Sequence, residues 1–148
     1  MKNQTPEYHY LDDIAIADAA FEAKSADLEG LFRAAADATM NVMVDPLDSI
    51  RNETSRRIRV ADDALDMLLF QFLQELIYFK DAEDLLLRVA DLRIDETPDG
   101  YALDANAFGE TMDVARHRMH VDVKAVTLHR FRVEKTGKGW ETTVVLDI

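Results

Sequence analysis

The sequence contains no cysteine. Disulfides, thiolate metal sites and covalent catalysis through sulfur are therefore excluded, and a reducing compartment is compatible with the composition. Only 5 glycines, 3 prolines and 1 tryptophan occur among 148 residues, with no low-complexity tract or interdomain linker. No uninterrupted apolar run exceeds four residues, far short of the roughly 20 that cross a bilayer as a helix. The opening "MKNQTPEYHY" lacks the apolar block of a signal peptide. The expectation is one soluble, cytoplasmic domain over residues 1–148, with no membrane partner. Basic side chains are also scarce: 17 against 29 acidic ones, a formal charge of −12. Such a surface repels phosphate backbones at long range, so free nucleic acid is not expected as a direct ligand.

What is present is enough apolar material, 48% of residues, to bury a core in a chain of this length. The charge is uneven. Between Arg116 and Lys138 seven basic residues stand against Asp122 and Glu134, a local excess of +5. The ordinary reading of such a run is a solvated strand face, although it is also the one stretch where an anion or acidic partner finds complementary charge.

Periodicity divides the chain into strands and two helices. "YLDDIAIADAAFEAK" mixes aromatic and β-branched residues with acids and predicts one or two strands. From Ser25 or Asp27 as N-cap, Leu28, Leu31, Phe32, Ala35, Thr39 and Met43 recur at helical spacing until Pro46 discourages continuation. "NETSRRIRVA" reads as a strand. Asp62 or Asp63 is then expected to cap a second helix with the stripe Leu65, Leu68, Leu69, Phe72, Leu73, Leu76 and Ile77. "TPDG" and "TGKG" each join two strand-like segments and predict hairpins, the second between "VDVKAVTLHRFRVEK" and "WETTVVLDI". The order β, α, β, α and four further β predicts the α+β class: an antiparallel or mixed sheet with two amphipathic helices packed on it.

Few clusters suggest chemistry. "DETPDG", at positions 95–100, places Thr97 and Asn106 where a calcium loop needs acids, so it reads as a turn. Asp62, Asp63 and Asp66 suit a helix start, where the dipole favours acids. His117 and His120 in "RHRMH" lack a third ligand and read as a surface segment. His129 has no assigned role. No phosphate loop or nucleophile elbow occurs.

The last strand is more informative. Alternation sends Trp140, Thr142, Val144, Leu146 and Ile148 to one face and Glu141, Thr143, Val145 and Asp147 to the other. With Ile148 anchored by its apolar side chain, its α-carboxylate is held beside that of Asp147. Two anions a few ångströms apart repel by ~1 kcal/mol or more unless a cation relieves them. Oxygen donors of this kind select Ca²⁺, Mg²⁺ or Mn²⁺ over zinc. On these residues alone an exposed acid ending an edge strand is the simpler reading.

"YLDDIAIAD", "LEGLFRAAADATMNVM", "LLFQFLQELIYFKDAEDLL", Gly109-Glu110, Arg116-His117, "VKAVTLH" and the terminal "LDI" occur in an order and spacing that resemble the archease family. Its members are small accessory proteins of RNA ligation by the RtcB-type ligase. The similarity spans nearly the whole chain. It implies a fold of strand-helix-strand-strand modules and a divalent cation held by Asp18, Asp147 and the Ile148 carboxylate. It also implies a role for Lys124, in "VKAVT", beside those acids or at a partner's phosphate. Ala15, Ile16 and Ala17 stand where many relatives carry His-Thr-Ala, so no histidine ligand is implied. Ala23, Lys24 and Ser25 replace a frequent Trp-Gly.

The function implied is activation rather than ligation. The protein would promote guanylylation and multiple turnover of an RtcB-type RNA ligase in tRNA splicing or RNA repair, without itself being an enzyme. Two other classes stand beside it: a small-molecule or metal-binding module unrelated to RNA, and a metal-dependent hydrolase using Asp18 and Asp147, ranked last because no general base is evident. The residues leave the ion and the oligomeric state open.

Overall fold

The computed structural model describes residues 5–11 and 18–148. Helix α1 (Leu28–Met43) begins at Asp27, whose carboxylate accepts the Gly30 N–H at 2.6 Å, a cap that contributes about 1 kcal/mol. Leu31, Phe32, Ala35, Ala38, Thr39 and Met43 form its buried face. It stops at Val44, whose backbone is extended ahead of Pro46. Helix α2 (Leu65–Glu83) buries Leu68, Leu69, Phe72, Leu73, Leu76 and Ile77 as the spacing predicts. Its cap differs from expectation. Ala64 occupies the N-cap without a side-chain bond, while the Asp62 carboxylate accepts the Ala64 N–H at 3.1 Å and a Gln71 amide N–H at 2.7 Å. The acid thus braces the turn ahead of the helix. At the other end Asp84 adopts a left-handed conformation, φ 54°, and terminates it.

The strands are β1 (Glu7–Leu11), β2 (Asp18–Ser25), β3 (Thr54–Asp62), β4 (Leu85–Thr97), β5 (Gly100–Thr111), β6 (Ala125–Val126), β7 (Arg132–Thr136) and β8 (Gly139–Asp147). The class is α+β, with the strands divided between two sheets. One has the order β3-β5-β4; in the other, β1-β2-β8 is completed by β6 and β7, which both pair with β8, and among the described residues every strand pairing is antiparallel. β8 is therefore an interior strand, not the edge strand of the simpler reading. Both turns form, with Thr97 opposite Gly100 and Thr136 opposite Gly139. Gly100 and Gly139 sit at φ 144° and 146°, a region that favours glycine.

The last hairpin departs from expectation in one arm. Instead of a continuous strand, only Ala125–Val126 and Arg132–Thr136 pair with β8. Between them the Thr127 hydroxyl and N–H both donate to the Val145 carbonyl, at 2.9 and 3.0 Å, and Arg130 turns left-handed. The hydroxyl shares its acceptor with the backbone N–H, and beyond Thr127 pairing with β8 lapses until Arg132.

Both helices contribute to a shared core. α1 packs on β2, β8 and β4, and α2 on β3, β4, β5 and β6, with the Phe32 and Phe72 rings 5.9 Å apart between the helices. Phe21 faces Val144 and both are fully buried. Among the described residues no helix is long and apolar enough to cross a membrane. In the centre of the three-stranded sheet Gly109 lies opposite Thr54 and Leu87, where a Cβ would collide with the Leu86 carbonyl oxygen. Gly109→Ala is expected to destabilise the fold by about 3 kcal/mol, read as a lower urea midpoint at unchanged slope.

Candidate functional site

The β2–β8 register sets Asp18 directly opposite Asp147. Antiparallel partners have Cα atoms about 4.5–5.5 Å apart and project to the same face. Phe21 and Val144 take the core face, so parity puts the two acids on the other one, with Glu22 and Thr143. Across the opposite edge of β8, Ala125 pairs with Asp147, and the Lys124 N–H donates to the Asp147 carbonyl at 2.8 Å. Ile148 is half-buried and packs against the core. Asp18, Lys124, Asp147 and Ile148 therefore meet at one end of the five-stranded sheet. Asp12 and Asp13, and the Ala15, Ile16 and Ala17 positions, lie outside the described residues.

Two carboxylates facing one another suit a hard divalent cation. Among the described residues no three His, Cys, Asp or Glu side chains form a group able to hold a metal. The further donor expected at this end is main chain, the Ile148 carboxylate.

Lys124 reaches this site on an irregular strap, residues 112–124, that leaves β5 and ends at β6. Its first anchor is Glu110, at the end of β5. That buried carboxylate accepts the Arg51 N–H at 2.6 Å, a short bond from Arg116, and the His117 Nε2–H at 3.0 Å. His117 Nδ1 accepts the Asp113 N–H at 2.9 Å, which fixes the tautomer, and Arg116 also donates to the Ser49 carbonyl at 2.9 Å. The sequence reading of "RHRMH" as surface is corrected here: the His117 side chain is fully buried because Glu110 and the Asp113 amide satisfy both ring nitrogens. Burial pushes the Glu110 carboxyl up, but the Arg116, Arg51 and His117 hydrogen bonds and the Arg116 charge outweigh it and hold it at about 2.

The middle of the strap lies against the end of α1. The Asp45 N–H donates to the Arg118 carbonyl at 3.2 Å and the His120 N–H to the Met43 carbonyl at 2.8 Å. The next anchor is Lys80, 4% exposed, whose ammonium donates to Asp122 at 2.6 Å and to the Val123 carbonyl at 2.9 Å, with a short contact to Asp81. Gln74 then accepts the Val126 N–H at 2.8 Å.

His120 and His129 side chains are exposed. The basic run is partly neutralised, as a solvated strand face should be: Arg132 bridges Glu22, Glu134 and Glu141. Sequence reasoning missed both buried anchors. One signal was present, because Lys80 falls three residues after Ile77 and four after Leu76, on the apolar stripe of α2.

The profile of the Archease protein family matches residues 8–148. The chain is similar to Protein archease of Pyrococcus abyssi, 35% identical over 89% of this chain and 93% of that one. Its similarity to Protein archease of Methanosarcina barkeri is 34% identity over the full length of both. The solution structure of Methanobacterium thermoautotrophicum protein 1598 superposes with a TM-score of 0.82 at 32% identity, covering 95% of this chain and 98% of that one. The crystal structure of an archease, possible chaperone, from Thermotoga maritima shares the fold, at TM-score 0.61, 18% identity and the same coverage.

Removing one member of a buried charge pair costs about 3 kcal/mol. Glu110→Gln should lower the denaturation free energy by that amount. Because the Glu110 carboxyl is depressed from the ordinary 4.5 to about 2 in the folded protein, its stabilisation is complete above the unfolded value and is lost as acid titrates through about 2. Chemical denaturation of wild type and Glu110→Gln across that window should show the two curves converging at the acid end.

Proposed function

The chain belongs to the archease family, and from that premise we propose that it activates an RtcB-type RNA ligase, promoting its guanylylation and repeated turnover in tRNA splicing or RNA repair without performing ligation itself. The observation that carries this reading is the placement of Asp18 opposite Asp147, with Lys124 hydrogen-bonded through its amide to that same Asp147.

In this reading Asp18, Asp147 and the Ile148 carboxylate hold a divalent ion, Ca²⁺, Mg²⁺ or Mn²⁺. Such an ion supplies charge neutralisation at phosphate oxygens during nucleotidyl transfer. The Ile148 side chain, packed against the core, restrains the main-chain donor. Asp18 and Asp147, both half-exposed, are open to a partner's surface. Lys124 is exposed one residue before β6, where its ammonium offers a second positive charge to a nucleotide phosphate or relieves the acid pair when no metal is bound. The surplus of acids over bases suits a ligase whose RNA groove is basic, by raising the rate of encounter.

Two measurements test the reading. Guanylylation of a cognate ligase should slow at least about tenfold with Asp18→Ala, with Lys124→Ala, and with a variant extended by one glycine, in which the Ile148 carboxylate becomes an amide. Full stimulation by all three rules the mechanism out. Separately, Ca²⁺ or Mn²⁺ at a hundred times its dissociation constant should stabilise the isolated protein by about 2.7 kcal/mol. Chelator should reverse that shift and Asp147→Asn should abolish it; a shift that survives the substitution places the ion elsewhere.

A further inference from the structure

We propose that Lys80 is a positioning residue, one that clamps the strap through Asp122 and the Val123 carbonyl and so sets Lys124 beside Asp147. The proposal rests on the reading of Lys124 given above and concerns how that side chain is presented.

An irregular segment as long as 112–124 is uncommon inside a compact domain, and where one persists it is usually functional. Its backbone groups must find partners outside regular structure. At its start they are held by the Glu110 cluster and in its middle by the end of α1. Just before Lys124 no β-ladder is available, since β6 begins only at Ala125. The Val123 side chain is buried in the core there, and Lys80 supplies the polar constraint on the backbone. Its ammonium fixes the carbonyl of the residue preceding Lys124 and the side chain of the residue before that. On the following side Val126 is held by Gln74 and by pairing with Leu146. Lys124 thus sits between a clamp from α2 and the pairing of β6, with its own N–H committed to Asp147.

Stability alone does not account for a lysine here. Position 80 lies on the buried stripe of α2, where an apolar residue of similar volume avoids the desolvation of an ammonium and is often as stabilising or more so. What the apolar residue cannot do is hold Asp122 and the Val123 carbonyl at 2.6 and 2.9 Å.

The test uses Lys80→Met, which keeps the stripe filled, and Asp122→Asn, which leaves α2 untouched and weakens the same clamp from the exposed side. Amide exchange should accelerate about tenfold at Lys124 and Val126 in both variants, while Val144 in the interior of β8 keeps its wild-type rate. Unchanged exchange at Lys124 in a folded variant overturns the proposal. So does acceleration that is uniform through β8, which reports general loosening. With a cognate ligase, Lys80→Met should lower the guanylylation rate at saturating activator and leave the half-saturating concentration unchanged. Combined with Lys124→Ala it should cost nothing further, because the clamp acts through Lys124; additive losses overturn that route. If Lys124→Ala alone leaves guanylylation intact, the functional reading has failed, and the exchange experiment by itself decides whether the clamp exists.

Discussion

The register of β8 against its two neighbours is the constraint from which the site follows. Phe21 opposite Val144 and Ala23 opposite Thr142 turn inward, all fully buried. A slip of one residue would carry Phe21 to the outer face and drive Asp18 or Asp147 toward the core, at the cost of burying an unpaired charge. Packing of apolar residues well away from the acids therefore dictates that the acids meet. Because β8 is flanked on both sides, Ala125 enters the same row from the opposite edge, and the Lys124 N–H meets the Asp147 carbonyl beside it.

The strap obeys a different logic. Apolar burial holds it at Val123, with Met112 and Met119 packed against the core, and it is fastened as well by two buried charges, Glu110 with Arg116 and His117, and Lys80 reaching the exposed Asp122. Each burial is unfavourable for an isolated charge and becomes tolerable only because its hydrogen-bonding capacity is taken up by named partners. Such bonds are directional. They specify where a backbone runs more narrowly than hydrophobic contact does.

Those two logics differ in how far they can be read from the sequence. The helices were legible because Leu68, Leu69, Phe72, Leu73, Leu76 and Ile77 repeat at a period only a helix satisfies, and the turns because Pro98-Asp99-Gly100 and Gly137-Lys138-Gly139 carry the right chemistry. Alternation in β8 was legible too, so the faces of Asp147 and Ile148 followed. Alternation tells which face is buried but not which strand lies alongside, so the division into two sheets was out of reach, and the meeting of Asp18 with Asp147 was implied only by family resemblance. The arm containing Thr127 looked like a continuous strand because a threonine hydroxyl bonding the Val145 carbonyl leaves no trace in the hydropathy pattern. Lys80 and Asp122, or Glu110 and Arg51, find one another through space, and periodicity says nothing of such pairs. The histidine judged superficial was misread because a buried imidazole is disguised by charged neighbours, Arg116 and Arg118.

Pairing positions 18 and 147 also bears on how the chain reaches its native state. The β4–β5 hairpin closes a small loop, and β3 joins it across the single intervening helix α2, a shorter separation than that between β2 and β8. The β2–β8 ladder joins segments separated by nearly the whole polypeptide, the kind of non-local contact that slows folding most. A partly folded molecule with the first set made and the second still open would hold most of its secondary structure yet have no acid pair at all. The juxtaposition of the two acids and the closing of this long-range ladder arrive together.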